Sequence, residues 1–178
     1  MKHLLNIVRV VFIIILSAML FCCQEEPVSK LMSLEIGQKH ENGLIFYIFK
    51  ETDPEYVSGE QHGYIVSEEI GSYTWGCENI PLSQFNVEGR YNTEIIIAQC
   101  GLNNAAGQCS VDNWWLPSIE EWELLTASNV LKTHTLNTYY WTSTKATYTE
   151  GYAIRPSDEK IEKKHVNITL KTLGIKQF

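Results

Sequence analysis

Five cysteines carry most of the chemistry open to this sequence, and they fall into two groups. Cys22 and Cys23 are adjacent near the start, whereas Cys77, Cys100 and Cys109 are spread through the remainder. Thiols form disulfides, bind metals or act as nucleophiles, and each use demands its own spacing and neighbours. No C-x-x-C pair or His-rich stretch accompanies these cysteines, so no metal ligands are assigned. A nucleophile needs a base within reach, and His40, His62, His134 and His165 are scattered, with nothing pairing one to a cysteine. Disulfide formation remains. Cys100 and Cys109 would stand ~13 Å apart on a continuous helix, too far to bond unless Gly101 breaks it. The reading favours Cys77–Cys100, with Cys109 as a small buried hydrophobe. Asp112-Asn113 offers side-chain oxygens, but two residues do not satisfy a calcium ion, which takes about six to eight oxygens. No catalytic or cofactor-binding residue is assigned.

The first two cysteines have a different context. Lys2, His3 and Arg9 form a basic start, and Val10 to Phe21 is an unbroken run of apolar or small residues. Twelve residues are too short to span ~30 Å of hydrocarbon at about 1.5 Å each, but they match the apolar region of a signal peptide. Leu20-Phe21-Cys22-Cys23 resembles a bacterial lipobox, with Cys23 as the lipidated residue and residues 1–22 removed. Cys22 in place of Gly, Ala or Ser departs from the usual motif, and an ordinary cleaved signal without lipid is the alternative. Gln24-Glu25-Glu26 resembles the surface-export signal of Bacteroidetes-type lipoproteins, and residues 23–33 read as lipidated cysteine and tether. Anchoring to the membrane would be stable if the cysteine carries more than one acyl chain.

Cleavage leaves 156 of the 178 residues, enough for one domain with a sizeable core, assigned to residues 34–178. Loss of Lys2 and Arg9 takes the 14 basic side chains to 12 against 21 acidic ones, a formal charge of −9. That field opposes nucleic acid and sulfated polysaccharide, so neither is expected as a partner. Lys160, Lys163, Lys164 and His165 form a local basic patch, read as a polar hairpin or loop. In an oxidising envelope compartment, three remaining cysteines allow one disulfide and leave one thiol over.

The elements that position these residues centre on Trp114 to Leu125, WWLPSIEEWELL. Trp114, Trp115 and Leu116 are β-prone, and Pro117 ends any ladder. Ser118 and Glu121 form an S-x-x-E capping box, predicting a helix whose Ile119, Trp122 and Leu125 line one face. Core packing is the expected role of these tryptophans, against an exposed sugar or peptide platform. Asn92 or Thr93 is expected to cap a helix from Glu94 to about Gln99, although Ile95-Ile96-Ile97 also suits a strand. Asn103 to Cys109 suggests one more helical turn. Strands are expected at Leu44 to Phe49 after the Asn42-Gly43 turn, at Gly63 to Ser67, and at Tyr139 to Thr144. Tyr152 to Arg155 and Val166 to Leu170 read as a hairpin, and Leu173 to Phe178 as a closing strand. The stretch from Trp75 to Arg90 reads as irregular.

These motifs occur in a fixed order. Gly37 to Tyr47 (G-x-x-x-x-x-G-x-I-F-Y) is followed by His62 to Val66 (H-G-Y-I-V), Trp75 to Cys77 (W-G-C) and Asn92 to Ile96 (N-T-x-x-I). A-A-x-x-C, W-x-L-P-S-x-x-E-W and Y-W-T-S-T complete the series. Together they resemble the Lcl C-terminal domain family, named for a collagen-like bacterial adhesin, and the related Fibrobacter-type major paralogous domains. The resemblance covers about Leu34 to Phe178. It implies an α+β, C-type-lectin-like fold: two helices, small antiparallel sheets and long irregular loops. The L-P-x-x-x-E-W element also occurs in the formylglycine-generating enzyme fold. Three departures stand out. Cys109 lies only five residues before Trp114, where the family has a longer linker. The segment after Tyr152 lacks a clear copy of the family's basic closing strand, although Gly174-Ile175-Lys176-Gln177-Phe178 resembles its end. Some members bind sulfated glycans, to which a charge of −9 is poorly suited. The calcium-dependent sugar motifs E-P-N and Q-P-D are also absent from the sequence.

The expectation is a non-catalytic lipoprotein on the outer-membrane surface, a binding or adhesion module for a glycan or protein ligand. An envelope enzyme of the formylglycine-generating type, or a structural subunit of an outer-membrane complex, is the alternative. Tyr73, Trp75, Tyr91, Tyr148 and Tyr152 are the aromatic candidates for a loop-borne site.

Overall fold

A computed structural model describes residues 33–133 and 137–178 of the chain. The expected leader, Cys23, the tether as far as residue 32, and His134 lie outside those residues. Leu34–Phe178 form one unit. Among the described residues, no helix is long and apolar enough to cross a membrane.

The described residues form an α+β architecture with three α-helices and two sheets. The first sheet has strand order β1-β2-β3-β9 and is antiparallel throughout: β1 Lys39–His40, β2 Gly43–Ile48, β3 Gly63–Val66 and β9 Ile175–Gln177. The pairing of β2 with β3 shifts register between Ile45 and Tyr47, and strand alternation sends consecutive residues to opposite faces. Ile45 and Ile65 pack into one apolar cluster, and Phe46, Val66 and Ile175 into another. The second sheet has order β4-β8-β5-β6-β7: β4 Gly71–Thr74, β5 Tyr140–Lys145, β6 Glu150–Arg155, β7 Lys160–His165 and β8 Thr169–Thr172. Its central strand β5 divides the same clusters, Trp141 entering the first and Tyr140 the second.

Three expectations about elements need correction. The sheets are not purely antiparallel, because β5 and β8 run parallel, with Tyr140 opposite Lys171. The predicted pairing of Tyr152–Arg155 with Val166–Leu170 is replaced by β6 with β7, Arg155 opposite Lys160 and Glu150 opposite His165. β7 is an edge strand, which tolerates a charged K-I-E-K-K-H sequence that conceals it from an apolar pattern search. β8 instead lies between β4 and β5, and β4 itself was not foreseen.

The third correction concerns α1, Gly89–Cys100, which begins five residues before the expected Glu94. Asn92 does not cap it. Its side chain accepts from Asn86 N–H at 2.9 Å and donates to Asn86 C=O at 2.8 Å, fastening the entry loop. Thr93 is buried too, and its hydroxyl accepts the Leu116 N–H at 3.0 Å. The helix also has no side-chain cap from Glu88. A carboxylate from another helix serves its first turn: Glu121 accepts from the Gly89 backbone.

α2, Ala105–Cys109, is one short helix capped by Asn104, whose side chain accepts from Gly107 N–H at 3.0 Å. α3, Ile119–Ala127, carries the predicted capping box: Ser118 accepts from Glu121 N–H at 3.2 Å, and Glu121 accepts from Ser118 N–H at 2.8 Å. Trp122 and Leu125 are fully buried against Phe46 and Tyr140, whereas Ile119 is half-buried. The Ile95–Ile97 segment is helical, and Ile96 fills the first cluster beside Trp75 and Trp141.

Candidate binding cleft

The neighbouring tryptophans of the W-W-L-P motif point into opposite clusters, Trp114 into the first and Trp115 into the second. Trp115 forms a single two-bond bridge with Ile175 of β9, at 2.9 and 3.0 Å. One residue earlier than Trp114 the ladder fails. Asn113 is left-handed (φ 61°), and its N–H turns back to Ser110 C=O. Asparagine tolerates that conformation better than most residues. The chain therefore leaves β9 at Trp114, and a cleft of about 430 Å³ opens between α1, the Ser110–Asn113 turn and β9.

The walls of this cleft are mixed. α1 contributes Arg90, Thr93, Glu94 and Ile97, β9 contributes Lys176 and Gln177, and the β1–β2 turn contributes Glu41. Lys176 Nζ lies 2.5 Å from Glu41 and 5.0 Å from the centre of the Trp114 ring, held by both attractions. That hydrogen bond keeps the Glu41 carboxyl below the usual carboxylate range. Arg90 stands 3.6 Å from Glu94 one helical turn on, an exposed pair worth little to stability. Two acids and two bases thus line the cleft.

Trp114 is 7% exposed and also lines a smaller cavity of about 230 Å³ beside Glu68, Glu69 and Asp112. The other four indole N–H groups all donate within the protein. Trp75 reaches Thr142 C=O at 2.7 Å and Trp115 reaches Glu121 at 3.1 Å. Trp122 reaches Trp141 C=O at 3.3 Å, and Trp141 reaches Tyr73 C=O at 2.9 Å. Among the described residues, the Trp114 N–H has no acceptor. Gln84 Oε1 is the one fully buried side-chain polar atom without a partner among them.

Directly behind the cleft, Glu121 joins α3, Trp115 and α1. Burial pushes its carboxyl up to about 7, against the opposing pull of the Ser118, Trp115 and Gly89 N–H donors. A Cβ at Gly89 would lie 2.1 Å from Glu121 Oε2 and 2.7 Å from Leu116 C=O, so only glycine allows this approach.

The cysteines lie elsewhere. Cys77 and Cys100 are bonded, fixing the loop after β4 to the end of α1, which stops at Gly101 (φ 72°). Lys145, itself buried, donates to Cys77 C=O at 3.2 Å and lies 4.5 Å from the centre of the Trp75 ring. Burial pushes this amine down to about 8, with Glu78 opposing. Cys109 is buried, and desolvation pushes its thiol far above the ordinary range.

The five aromatic candidates are not gathered into the cleft. Trp75 is wholly buried, Tyr73 and Tyr152 are half-buried on β4 and β6, and only Tyr91 on α1 and Tyr148 in the β5–β6 turn are exposed. The basic patch is largely neutralised. Lys160 and Lys164 both bind Glu162, at 2.5 and 2.6 Å, and His165 lies 3.6 Å from Glu78. Asp112 and Asn113 form the end of a turn, and among the described residues no group of three or more His, Cys, Asp or Glu gathers as metal ligands would. Arg90, Lys176 and Gln177, which face one another across the cleft, carried no sequence signal, because α1 and β9 are far apart in the chain.

Compared with known proteins, the chain matches no family model and no curated protein.

Proposed function

We propose that this protein is a non-catalytic binding module with a C-type-lectin-like fold, of the kind seen in the Lcl C-terminal domain family. It is held by lipid at Cys23 on the outer-membrane surface, and the cleft at Trp114 receives a glycan or protein ligand. The observation that carries this reading is the cleft itself. It combines a nearly buried indole, two ion pairs and an open strand edge. Such a mixture of an aromatic wall with convergent polar groups suits recognition. Enzyme chemistry of the formylglycine-generating type would require an accessible reactive thiol. Cys77 and Cys100 are bonded to each other and Cys109 is buried, which favours binding over catalysis.

The test is to probe glycan and protein arrays with the full chain in detergent micelles, beside an Arg90→Ala, Lys176→Ala variant. Binding that the double variant weakens supports the reading. Silent arrays, or a ligand indifferent to both substitutions, would overturn it.

A further inference from the structure

We infer that the cleft takes an extended peptide, which adds one β-rung to β9 at Gln177; this rests on the binding-module reading above. The argument starts from the alternation of β9. Gly174 C=O accepts from Ser67 N–H at 2.8 Å, and Phe178 N–H donates to Gly63 C=O at 3.1 Å. Residues 174, 176 and 178 therefore direct their backbone groups at β3, while Ile175 directs both of its own at Trp115.

Gln177, two residues beyond Ile175, faces the same way as Ile175 and is exposed. Were the Trp115 strand to continue, Asn113 would stand opposite it. The left-handed turn at Asn113 removes that rung, and among the described residues nothing bonds to the Gln177 backbone on this side. A peptide residue supplies one C=O and one N–H at the spacing such a rung requires, which a saccharide hydroxyl does not. The remaining walls suit a polypeptide as well. The Lys176–Glu41 and Arg90–Glu94 pairs offer both signs of charge to side chains.

The experiment pans a displayed library of random heptapeptides on the full chain in detergent micelles. Gln177→Pro deletes the outward N–H, and proline is tolerated on a strand edge whose N–H faces solvent. Gln177→Ala removes the side chain alone. Recovered peptides are expected to lose about tenfold or more in affinity for Gln177→Pro and little for Gln177→Ala. Peptide binding to the unaltered chain is also expected to slow hydrogen exchange at the Gln177 amide, a readout independent of either variant's folding. Failure to recover peptides, equal binding to Gln177→Pro, or an unprotected Gln177 amide would each refute the rung. The binding-module reading stands through all three and falls only on its own arrays.

Discussion

Glu121 is the residue on which most of the local structure converges, since it caps α3, receives the Trp115 indole and serves the start of α1. Its folded-state carboxyl titrates at about 7, above the ordinary 4.5, because burial outweighs its three donors. The folded chain thus holds a proton that the unfolded chain has released between those values. Stability from this group is fully present below pH 4.5 and lost as pH rises through 7, on the order of 3 kcal/mol. Lys145 has the opposite sign: its amine is lowered from 10.5 to about 8, so stability recovers as pH rises through that interval. Melting curves across this range are expected to dip near pH 7 to 8. Glu121→Gln should flatten the acid limb and Lys145→Met the alkaline limb; unchanged limbs would show that neither group titrates as described. Thr93→Val tests a neighbouring contact, because it strands the buried Leu116 N–H. A loss of about 1–3 kcal/mol in denaturant unfolding is expected.

At the scale of elements, α1 is held at both ends by distant residues. Its start meets Glu121, Leu116 and Ser118 so closely that Gly89→Ala must displace main chain, with an expected cost of about 1–3 kcal/mol. Its end is bonded through Cys100 to Cys77, 23 residues away. Removing the bond with Cys77→Ala, Cys100→Ala should lower stability by about 3 kcal/mol by the loop-entropy rule, measurable as a reduced melting temperature. If the double variant melts with the unaltered chain, the bond is not constraining the fold. The same tertiary dependence explains the misplaced start of α1. Asn92 and Thr93 have the chemistry of caps, yet each is engaged sideways, with Asn86 and Leu116. By contrast, α3 was legible because Ser118 and Glu121 cap it from within four residues.

For the whole molecule, the charge balance bears on partners. Lys160, Lys164 and His165 of β7 are partnered by Glu162 and Glu78, which offsets most of the local basic patch within an acidic chain. The full chain is therefore expected to pass a heparin column without retention at about 0.15 M salt, where fields decay over ~8 Å. Firm retention would point to a basic surface that pairing has not neutralised. Anchoring is tested separately, by growth with a labelled lipid precursor. Label is expected on the unaltered protein and absent from Cys23→Ala, and an unlabelled native protein would refute lipidation at that position.

Local patterns determined the elements whose signals lie within a few residues, the capped helix α3 and the aromatic strand β5, whereas the turn expected at Asn42-Gly43 lies one residue earlier, at Glu41-Asn42. Composition also bounded the domain and its charge. Only the tertiary structure decided the partners of those elements. It paired β6 with the charged edge strand β7 and placed β8 parallel to β5, whereas the Cys77–Cys100 bond follows the pairing the sequence favoured. It also made the cleft, which exists because Asn113 turns away from Gln177. The physical reason is separation along the chain. A cap or turn is written in adjacent residues, whereas a strand's neighbour and a cleft's far wall depend on burial shared among residues many positions apart.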